Sequence, residues 1–294
     1  MFYRRDILGR LGIEPESLKT WQDVMNVLPD IQATNMNFAL PAMISPTVSA
    51  APNTYAMFLY QRGGGFYAND GRESALGEQV ALDAFWAYTR FYTGYGLPFI
   101  YDFGTRFRTG ELPLGIADFT SYNLLRVSAP EIQGLWGMLP VPGTPAPDGI
   151  NSTVPVSGTA SVIMKAAKNK QACWEFLKWW VSEDTQYDFG REMESVLGVG
   201  ARYHTANLKT FARLPWTAQE RNALLSQAEH LKGIPEVPGG YISTRSIDFA
   251  VKAVYNTGED ARTQLLSYVP SINWELSAKR KEFHMDADMP DGSK

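Results

Sequence analysis

The chain has 294 residues, of which 45% are hydrophobic and 20% are charged. This length and composition are sufficient to bury a sizeable core, either in one large domain or in two. Because 27 Lys and Arg face 31 Asp and Glu, the net charge of −4 provides no general attraction to nucleic acid, and we expect no nucleic-acid partner.

The cysteine count and the hydropathy of the sequence exclude further classes of protein. The single Cys173 rules out an internal disulfide and a multi-thiolate metal site, and its helical spacing favours a small buried apolar residue. No apolar run is long enough to span a bilayer. The first residues, MFYRRDILGRLGI, are charged and helical where a secretory signal would continue as an apolar stretch. We therefore expect export to depend on sequence that is absent here.

Strands alternate with helices along the predicted fold. The first predicted helix ends at Gly12, and the second runs from the N-cap Thr20 to near Pro29. A helix of about 20 residues is predicted around Phe85. The other predicted helices cover 55–62, 169–180, 183–195, 217–232, 247–256, 260–268 and 271–283. The predicted strands are Phe2-Tyr3, Leu112–Asp118, Trp136–Val141 and Gly158–Met164. The Pro- and Ser-rich stretch 41–52 predicts a loop. This alternation indicates an α/β sheet with crossover connections.

The apolar residues that recur at helical spacing in these helices also predict which side chains form the core. Aromatic residues at helical spacing are expected to be covered by the sheet; they are Phe85, Phe91, Trp174, Phe176 and Trp180.

A search for catalytic constellations finds none. The three histidines, His204, His230 and His284, are far apart and share no metal-ligand spacing. No nucleophile elbow or Walker loop is present, and the run of three glycines at 63–65 ends a helix instead of opening one. We predict no enzymatic activity, no cofactor and no metal.

Asp118 is a candidate binding residue because it ends a predicted buried strand. Ligands of α/β sheets meet the carboxyl ends of strands. The carboxylate faces a cleft or caps the helix that follows, and the sequence leaves both open.

Six phrases in a fixed order carry a resemblance to a known family. They are MFYRRDILGRLGI, TWQDVMNVLPDI, RFRTGELPLGIAD, GLWGMLPVPG, SGTASVIMKAAKNKQACWEFLKWWVSED and PSINWELSAKRKEF. Over residues 1 to about 285 the chain resembles the extracellular, periplasmic-type solute-binding proteins of ABC importers, family 1, which are maltose-binding-protein-like. In that family about a hundred residues of the first lobe precede the MFYR-like strand.

The resemblance implies an α/β fold of the periplasmic-binding-protein-like class II, with one complete lobe and a helical portion of the other. Residues 1–182 and 239–285 would form the ligand-binding lobe. Residues 183–238 would be a helical excursion belonging to the other lobe, and 286–294 a flexible tail.

The resemblance also implies ligand-binding residues. Asp118 and Arg108 belong to the matching helix-turn-strand phrase, and Thr120 occupies the position of an aromatic residue that stacks on sugar. Tyr122 is the nearest aromatic substitute, with a role in the core as the alternative. Arg106 and Arg108 bind ligand or are solvated helix charges.

Three further places are implied in the same way. Tyr55 follows the Pro-rich loop, where relatives place a ligand aromatic, or it packs at a helix start. Ser157 and Gly158 lie at a bend near the cleft or form a simple turn. Arg245 and Asp248 open a helix at the cleft, where they face the groove or pair with each other at the surface.

The resemblance implies the solute-binding component of an ABC import system, which binds an oligosaccharide or a related polar solute by clamshell closure. Its partners would be the solute and a membrane permease, and we expect a monomer. The protein would be extracellular, either periplasmic or attached to the cell surface as a lipoprotein. A carbohydrate-active enzyme and a fragment without ligand function are the alternatives.

Overall fold

A computed structural model describes residues 1–285 of the chain, and the predicted tail at 286–294 lies outside them. The α-helices are α1 (Arg5–Arg10), α2 (Trp21–Gln32), α3 (Ala51–Gln61), α4 (Gln79–Thr93), α5 (Phe103–Thr109), α6 (Ser121–Ser128), α7 (Lys170–Trp180), α8 (Glu183–Leu197), α9 (Leu208–Arg213), α10 (Ala218–Ala228), α11 (Tyr241–Thr257) and α12 (Ala261–Glu282). The strands are β1 (Phe2–Arg4), β2 (Phe38–Ala39), β3 (Met43–Ser45), β4 (Val48–Ser49), β5 (Tyr67–Ala68), β6 (Glu73–Ser74), β7 (Leu114–Gly115), β8 (Trp136–Met138), β9 (Thr144–Ala146), β10 (Gly149–Asn151), β11 (Val154–Val156) and β12 (Leu231–Gly233).

A four-stranded mixed sheet in the order β2-β7-β1-β8 organises the fold. Strand β2 is parallel to β7, whereas β1 is antiparallel to both β7 and β8. Strands β2, β7 and β8 therefore end at the same side of the sheet. We call this side the carboxyl edge, formed by residues 40–42, 116–120 and 139–141. The predicted α/β fold is confirmed.

Each face of the sheet is covered by its own hydrophobic cluster, because successive strand residues point to opposite faces. Tyr3 and Leu114 belong to a large cluster with α2, α3, α4, α11 and α12. Phe2 and Trp136 belong to a second cluster with residues of α5, α6 and α9. The chain thus forms helical layers on both sides of the sheet.

Backbones approach closely between β2 and β7. A Cβ added at Gly115 would lie 2.8 Å from the carbonyl oxygen and 3.0 Å from the Cα of Ala39. The amide of Ile116 donates to the same carbonyl oxygen at 2.7 Å. Only glycine fits at position 115 without displacing the neighbouring backbone.

The Thr20 cap is confirmed. The Thr20 side chain accepts from the backbone amide of Asp23, and the Asp23 carboxylate accepts from the backbone amide of Thr20, which forms a capping box. The end predicted near Pro29 is wrong, because α2 continues to Gln32 with Leu28 and Ile31 buried on either side of the proline. Burial of the apolar face of α2 stabilises the helical turn around Pro29, which intrinsic helix propensity alone would not stabilise.

Three other element predictions are wrong. The helices predicted over 260–268 and 271–283 are one continuous α12 that contains Pro270. No strand forms over 158–164; the extended segment lies earlier, as β11, which pairs in parallel with β12. The predicted loop contains the β3–β4 hairpin, and α3 begins at Ala51 with proline in its first turn.

The core prediction is correct for α4 and wrong for α7. Phe85 and Phe91 are buried, whereas Trp174 and Phe176 are exposed and Cys173 is half-buried. Residues of the segment 183–238 pack against the second cluster, and the division into lobe and excursion stays a prediction. Among residues 1–285, no helix combines the length and apolarity needed to cross a bilayer.

Candidate functional site

Three hydroxyl groups fix the chain where it leaves β2 at the carboxyl edge. The Tyr92 hydroxyl donates to the carbonyl oxygen of Leu40 at 2.9 Å. Tyr88 and Thr54 both donate to the carbonyl oxygen of Pro41, at 3.0 and 2.7 Å. These carbonyls lie beyond the strand ladder and need other donors. Helices α3 and α4 therefore hold this part of the edge in place.

Two polar atoms near this point are buried and have no partner. They are Oδ1 of Asp248 and the hydroxyl of Tyr101. The other carboxylate oxygen of Asp248 accepts from Lys252 at 2.7 Å. Buried polar atoms without a partner are rare in native structures and call for a water, an ion or a ligand.

The pKa shifts of two tyrosines relate both Asp248 and Tyr101 to Tyr88. Burial raises the pKa of Tyr88, and the negative charge of Asp248 raises it further. Burial also raises the pKa of Tyr101 well above its ordinary value, with Tyr88 as a second cause. Asp248 and Tyr101 therefore both lie within electrostatic range of the Tyr88 hydroxyl.

Exposed apolar side chains lie close in sequence to Pro41 and Tyr101. Strands β3 and β4 follow Pro41 directly, and Met43 of β3 forms a parallel bridge with Ile100. The side chains of Ile44, Val48 and Ile100 are about half exposed. The edge thus combines unpartnered polar atoms with accessible apolar surface.

Asp118 lies at the same edge, after β7. Its side chain is exposed, and its carbonyl oxygen accepts from the amide of Ser121 at 2.9 Å. Helix α6 has Thr120 at its N-cap position, without a side-chain cap bond. Thr120 is also exposed. Both residues are thus accessible at the carboxyl edge.

Tyr122 packs in the second cluster. Its ring makes edge contacts with Trp136 and Trp216, and its hydroxyl accepts from Arg202 at 2.9 Å. Burial raises the pKa of Tyr122 to about 12. Of the two roles left open by the sequence, the geometry shows packing. The buried Arg202 also donates to both carboxylate oxygens of Glu194, at 3.0 and 2.6 Å.

His204 contacts the turn that carries Asp118 and Thr120. Its ring stacks on Phe119 with centroids 4.1 Å apart, and its Nε2 lies 3.1 Å from Oδ1 of Asn123. Burial lowers the pKa of His204. The folded protein therefore favours the neutral ring in this contact.

This lowered pKa predicts an acid-sensitive contribution to stability. The unfolded chain takes up a proton near pH 6.5, whereas the folded chain does so only at lower pH, so the contribution is lost as pH falls through this window. We expect His204→Gln to show a smaller drop in the urea midpoint between pH 7 and pH 5 than the wild type. His230→Gln, at an exposed position, is the control; equal drops for all three proteins would contradict the prediction.

Tyr55 does not reach the edge surface. It is buried among Phe66 and Phe85, and its hydroxyl donates to the carbonyl oxygen of Ala81 at 3.1 Å. The side chain of Tyr55 is fully buried in the core, so in this conformation it exposes no surface that could contact a solute.

Both arginines of the RFRTGE phrase pair with nearby glutamates. Nε of Arg106 lies 2.8 Å from Glu111, and Nη1 of Arg108 lies 3.5 Å from Glu131. These are exposed ion pairs on and beside α5. The arrangement matches the solvated charges that the sequence left as one alternative.

The remaining candidates are separated from one another. Ser157 and Gly158 are exposed after β11. The guanidinium of Arg245 lies over the ring of Phe249, 5.4 Å from its centroid, and Asp248 pairs with Lys252. The Arg245–Asp248 surface pair, one of the two alternatives that the sequence left open, does not form. Arg245 is exposed, while Asp248 lies within electrostatic range of Tyr88.

Two cavities lie elsewhere than at the carboxyl edge. One, of about 430 Å³, lies at the opposite side of the sheet and includes Asn37 and Glu111; the other, of about 260 Å³, lies beside β8 and includes Arg5 and Arg126. The first is also lined by Arg106, one of the two arginines that the sequence nominated, and the second is lined by none of the nominated residues. Within residues 1–285, no group of three or more His, Cys, Asp or Glu is placed to hold a metal ion.

Sequence reasoning missed Tyr101 and His204. Tyr101 has a weak signal, since it is an aromatic residue directly before Asp102, the N-cap of α5. His204 has no local signal, because its contact with Phe119 spans 85 positions and arises only in the folded chain.

Comparison with known proteins gives a family match. The sequence profile of the bacterial extracellular solute-binding protein family matches residues 1–187. A search of curated protein sequences finds no significant match.

Solved structures share the fold. The sugar-binding protein MalE from Xanthomonas citri has a TM-score of 0.76 at 19% identity, and the match covers 96% of this chain and 69% of that one. An ABC transporter solute-binding protein from Thermotoga lettingae, bound with alpha-D-tagatose, has a TM-score of 0.70 at 17% identity, covering 94% and 69%. The maltose-binding periplasmic protein MalE from Listeria monocytogenes, in complex with maltose, has a TM-score of 0.68 at 14% identity, covering 95% and 70%. These neighbours are binding proteins.

Proposed function

This chain belongs to the bacterial extracellular solute-binding protein family, and from that premise we propose that it binds an oligosaccharide or a related polar solute for an ABC importer. The family and the structural neighbours are binding proteins, not enzymes. The proposed activity is therefore recognition of a solute that leaves chemically unchanged.

The observation that carries this proposal is the pair of unpartnered buried atoms at the carboxyl edge. Oδ1 of Asp248 is a charged acceptor, and the Tyr101 hydroxyl is able to donate or accept. A solute hydroxyl placed between a carboxylate and a phenol satisfies groups that are otherwise costly to bury. Asp118 and Thr120 add exposed polar groups at the end of the neighbouring strand.

Sugar chemistry fits the two parts of this edge. A pyranose presents hydroxyls at its rim and C–H groups on its faces, so it needs planar polar partners beside apolar surface. The half-exposed Ile44, Val48 and Ile100 supply the apolar surface. Two neighbours are bound to alpha-D-tagatose and to maltose, which supports a carbohydrate as the solute class.

We further propose that the edge is one wall of a clamshell whose closure on the solute is read by a membrane permease. In this scheme residues 1–182 and 239–285 form the wall and 183–238 belong with the opposite side. Ser157, Gly158, Arg108 and Arg245 are peripheral contacts in this scheme. An extracellular location, anchored as a lipoprotein or periplasmic, and a monomeric state are part of the same proposal.

Titration calorimetry with maltose and alpha-D-tagatose tests the solute class. We expect one of these sugars, or a longer member of its class, to bind without turnover. Asp248→Ala is expected to weaken binding by roughly 10- to 100-fold, because a charged hydrogen bond contributes about 1.5–3 kcal/mol. Asp83→Ala, which removes an exposed carboxylate paired with Arg262, is the matched control and is expected to bind as the wild type does.

Three results would contradict the proposal. Absence of heat across a sugar panel would favour a fragment without ligand function. Release of reducing ends would favour a carbohydrate-active enzyme. Equal affinities of the wild type and Asp248→Ala would move the solute away from the carboxyl edge.

A further inference from the structure

The cavity of about 260 Å³ beside β8 is lined by two residues that carry buried, unpartnered donors. We call it the β8 cavity, and Arg5, Arg126 and Trp136 are among the residues that line it. Nε of Arg126 and Nε1 of Trp136 are buried and have no hydrogen-bond partner among residues 1–285. Trp136 is only 7% exposed. Such groups are rare in native structures and call for a water, an ion or a ligand.

The unpartnered atoms around the ring of Tyr122 are all donors. The guanidinium of Arg126 lies 5.9 Å from the centroid of this ring, and the rings of Trp136 and Trp216 lie 5.6 and 4.8 Å from it. Nε1 of Trp216 is also buried and without a partner in the described part of the chain. Indole and guanidinium N–H groups donate and do not accept. This region therefore lacks acceptors.

A second guanidinium is held at the cavity beside β8. The backbone amide of Arg5 donates to the carbonyl oxygen of Leu135 at 2.7 Å, and Nη2 of Arg5 donates to Oε1 of Gln219. A Cβ added at Gly137 would lie 2.9 Å from the same Nη2. Glycine at position 137 thus leaves room for the Arg5 guanidinium against the strand.

Positive charge exceeds negative charge in the lining of the β8 cavity. Arg5 and Arg126 carry one positive charge each, against the carboxylate of Glu220. Helix α10 begins at the cavity with Thr217 as its N-cap, and a helix N-terminus adds about half a positive charge. Oε2 of Glu220 accepts from the amide of Thr217. Burial raises the pKa of Tyr122, and the charge of Glu220 raises it further, so this carboxylate lies towards Tyr122.

We propose that the β8 cavity binds a small anion that carries a carboxylate or phosphate group. The oxygens of such a group accept from Nε of Arg126 and from the indole N–H of Trp136, and a guanidinium presents a fork that matches two oxygens. Arg5 supplies a second positive charge. The cavity is smaller than the roughly 300–1,000 Å³ of pockets for drug-sized ligands, so the anion is small.

This anion site is distinct from the carboxyl edge. Arg5 follows β1, which runs antiparallel to β7 and β8, and Gly134 precedes β8. Both residues therefore lie at the opposite ends of the strands from Asp118 and Thr120. The proposal does not depend on the identity of the solute.

The indole N–H resonances of the full chain test the proposal. The chain has eight tryptophans, and Trp136→Phe identifies the signal of Trp136 in a ¹⁵N-labelled sample. We expect inorganic phosphate or citrate, each added at an ionic strength held constant with sodium chloride, to shift the Trp136 signal saturably. The signal of Trp274, which is 70% exposed on α12, is the internal control and is expected not to move.

Three variants separate the anion site from general charge effects. Arg126→Gln is expected to weaken anion binding by about 10- to 100-fold, because it removes charged hydrogen bonds. Glu220→Gln is expected to strengthen binding, since it removes a negative charge and glutamine also forms a capping box. Arg10→Gln removes an exposed charge at the far end of α1 and is the matched control, with the affinity of the wild type. Unchanged signals of tryptophans outside the cavity show that each variant is folded.

Three outcomes would overturn the proposal. The first is a Trp136 signal that stays in place, or drifts linearly with all the other indole signals, which would show that water satisfies the donors. The second is equal affinity of Arg126→Gln and Arg10→Gln for the anion. The third is a saturable shift of the Trp136 signal with maltose and none with either anion, which would assign the donors to a neutral solute.

Discussion

Replacing Arg202 with Met is expected to lower the free energy of unfolding by about 3–5 kcal/mol. The Arg202 side chain is 8% exposed and binds Glu194, itself 18% exposed, through two hydrogen bonds. It also donates to the Tyr122 hydroxyl and lies over the ring of Trp216, 4.9 Å from its centroid. The substitution leaves a mostly buried carboxylate without its cation and removes packing from two aromatic rings. Urea denaturation at pH 7 measures the change.

Two further variants test the cause. Arg213→Met removes an exposed arginine that pairs with Glu183 and Asp184, and we expect a much smaller loss of stability than for Arg202→Met, because solvent screens exposed ion pairs. Glu194→Leu added to Arg202→Met removes the stranded charge, so the double variant is expected to be more stable than Arg202→Met alone. A similar, small loss for Arg202→Met and Arg213→Met would show that the buried pair contributes no more than the exposed one.

Replacing Gly115 with Ala is expected to lower the free energy of unfolding by about 3 kcal/mol, at the upper end for an overpacked core position. The new Cβ would meet the Cβ, carbonyl oxygen and Cα of Ala39, and two of these are backbone atoms that cannot rotate away. Strands β2 and β7 would separate at the carboxyl edge. Urea denaturation measures the stability, and amide hydrogen exchange at Ile116 measures the loss of its bond to Ala39.

Gly9→Ala is the matched control, since a Cβ there has nothing within 4 Å and Gly9 lies inside α1. We expect it to be neutral or to stabilise the protein by up to about 1 kcal/mol. Equal stabilities of the Gly115 and Gly9 variants would mean that β2 moves freely relative to β7.

Elements that begin with a capping residue could be predicted from the sequence. Thr20 caps α2 as expected, and Asn169 and Asp260 stand directly before α7 and α12 and accept from their first turns. These interactions lie within three or four residues, so a sequence pattern describes them fully. The helix interiors at Pro29 and Pro270 could not be predicted, because tertiary burial outweighs the local cost of proline there.

Local apolarity alone predicts a strand over 158–164. A strand needs a partner, and in the structure β12 pairs with residues 154–156 instead. A local sequence pattern does not show pairing between positions almost 80 residues apart. The strand is therefore predicted several residues too far along the chain.

Some residues of the candidate site could likewise be predicted from the sequence, and others could not. Asp118 was nominated because it follows a strand, and Asp248 through the resemblance; the structure places Asp118 at the carboxyl edge and Asp248 within range of Tyr88 beside it. Tyr55 lies on a helix that is apolar around its circumference, so its sequence could not show which side faces the core. Contacts such as Arg202 with Tyr122 depend on folding of distant segments and lay beyond a local argument.

The three hydroxyls that hold Leu40 and Pro41 have a consequence for recognition. Groups already fixed by internal hydrogen bonds lose little freedom when a solute arrives, so the ordering cost of binding falls on the solute and on any moving parts. This stretch of backbone is a preorganised support. In the proposed site, discrimination among solutes should consequently depend on the orientation of hydroxyls around Asp248 and Tyr101, because the support cannot adapt to a poor fit.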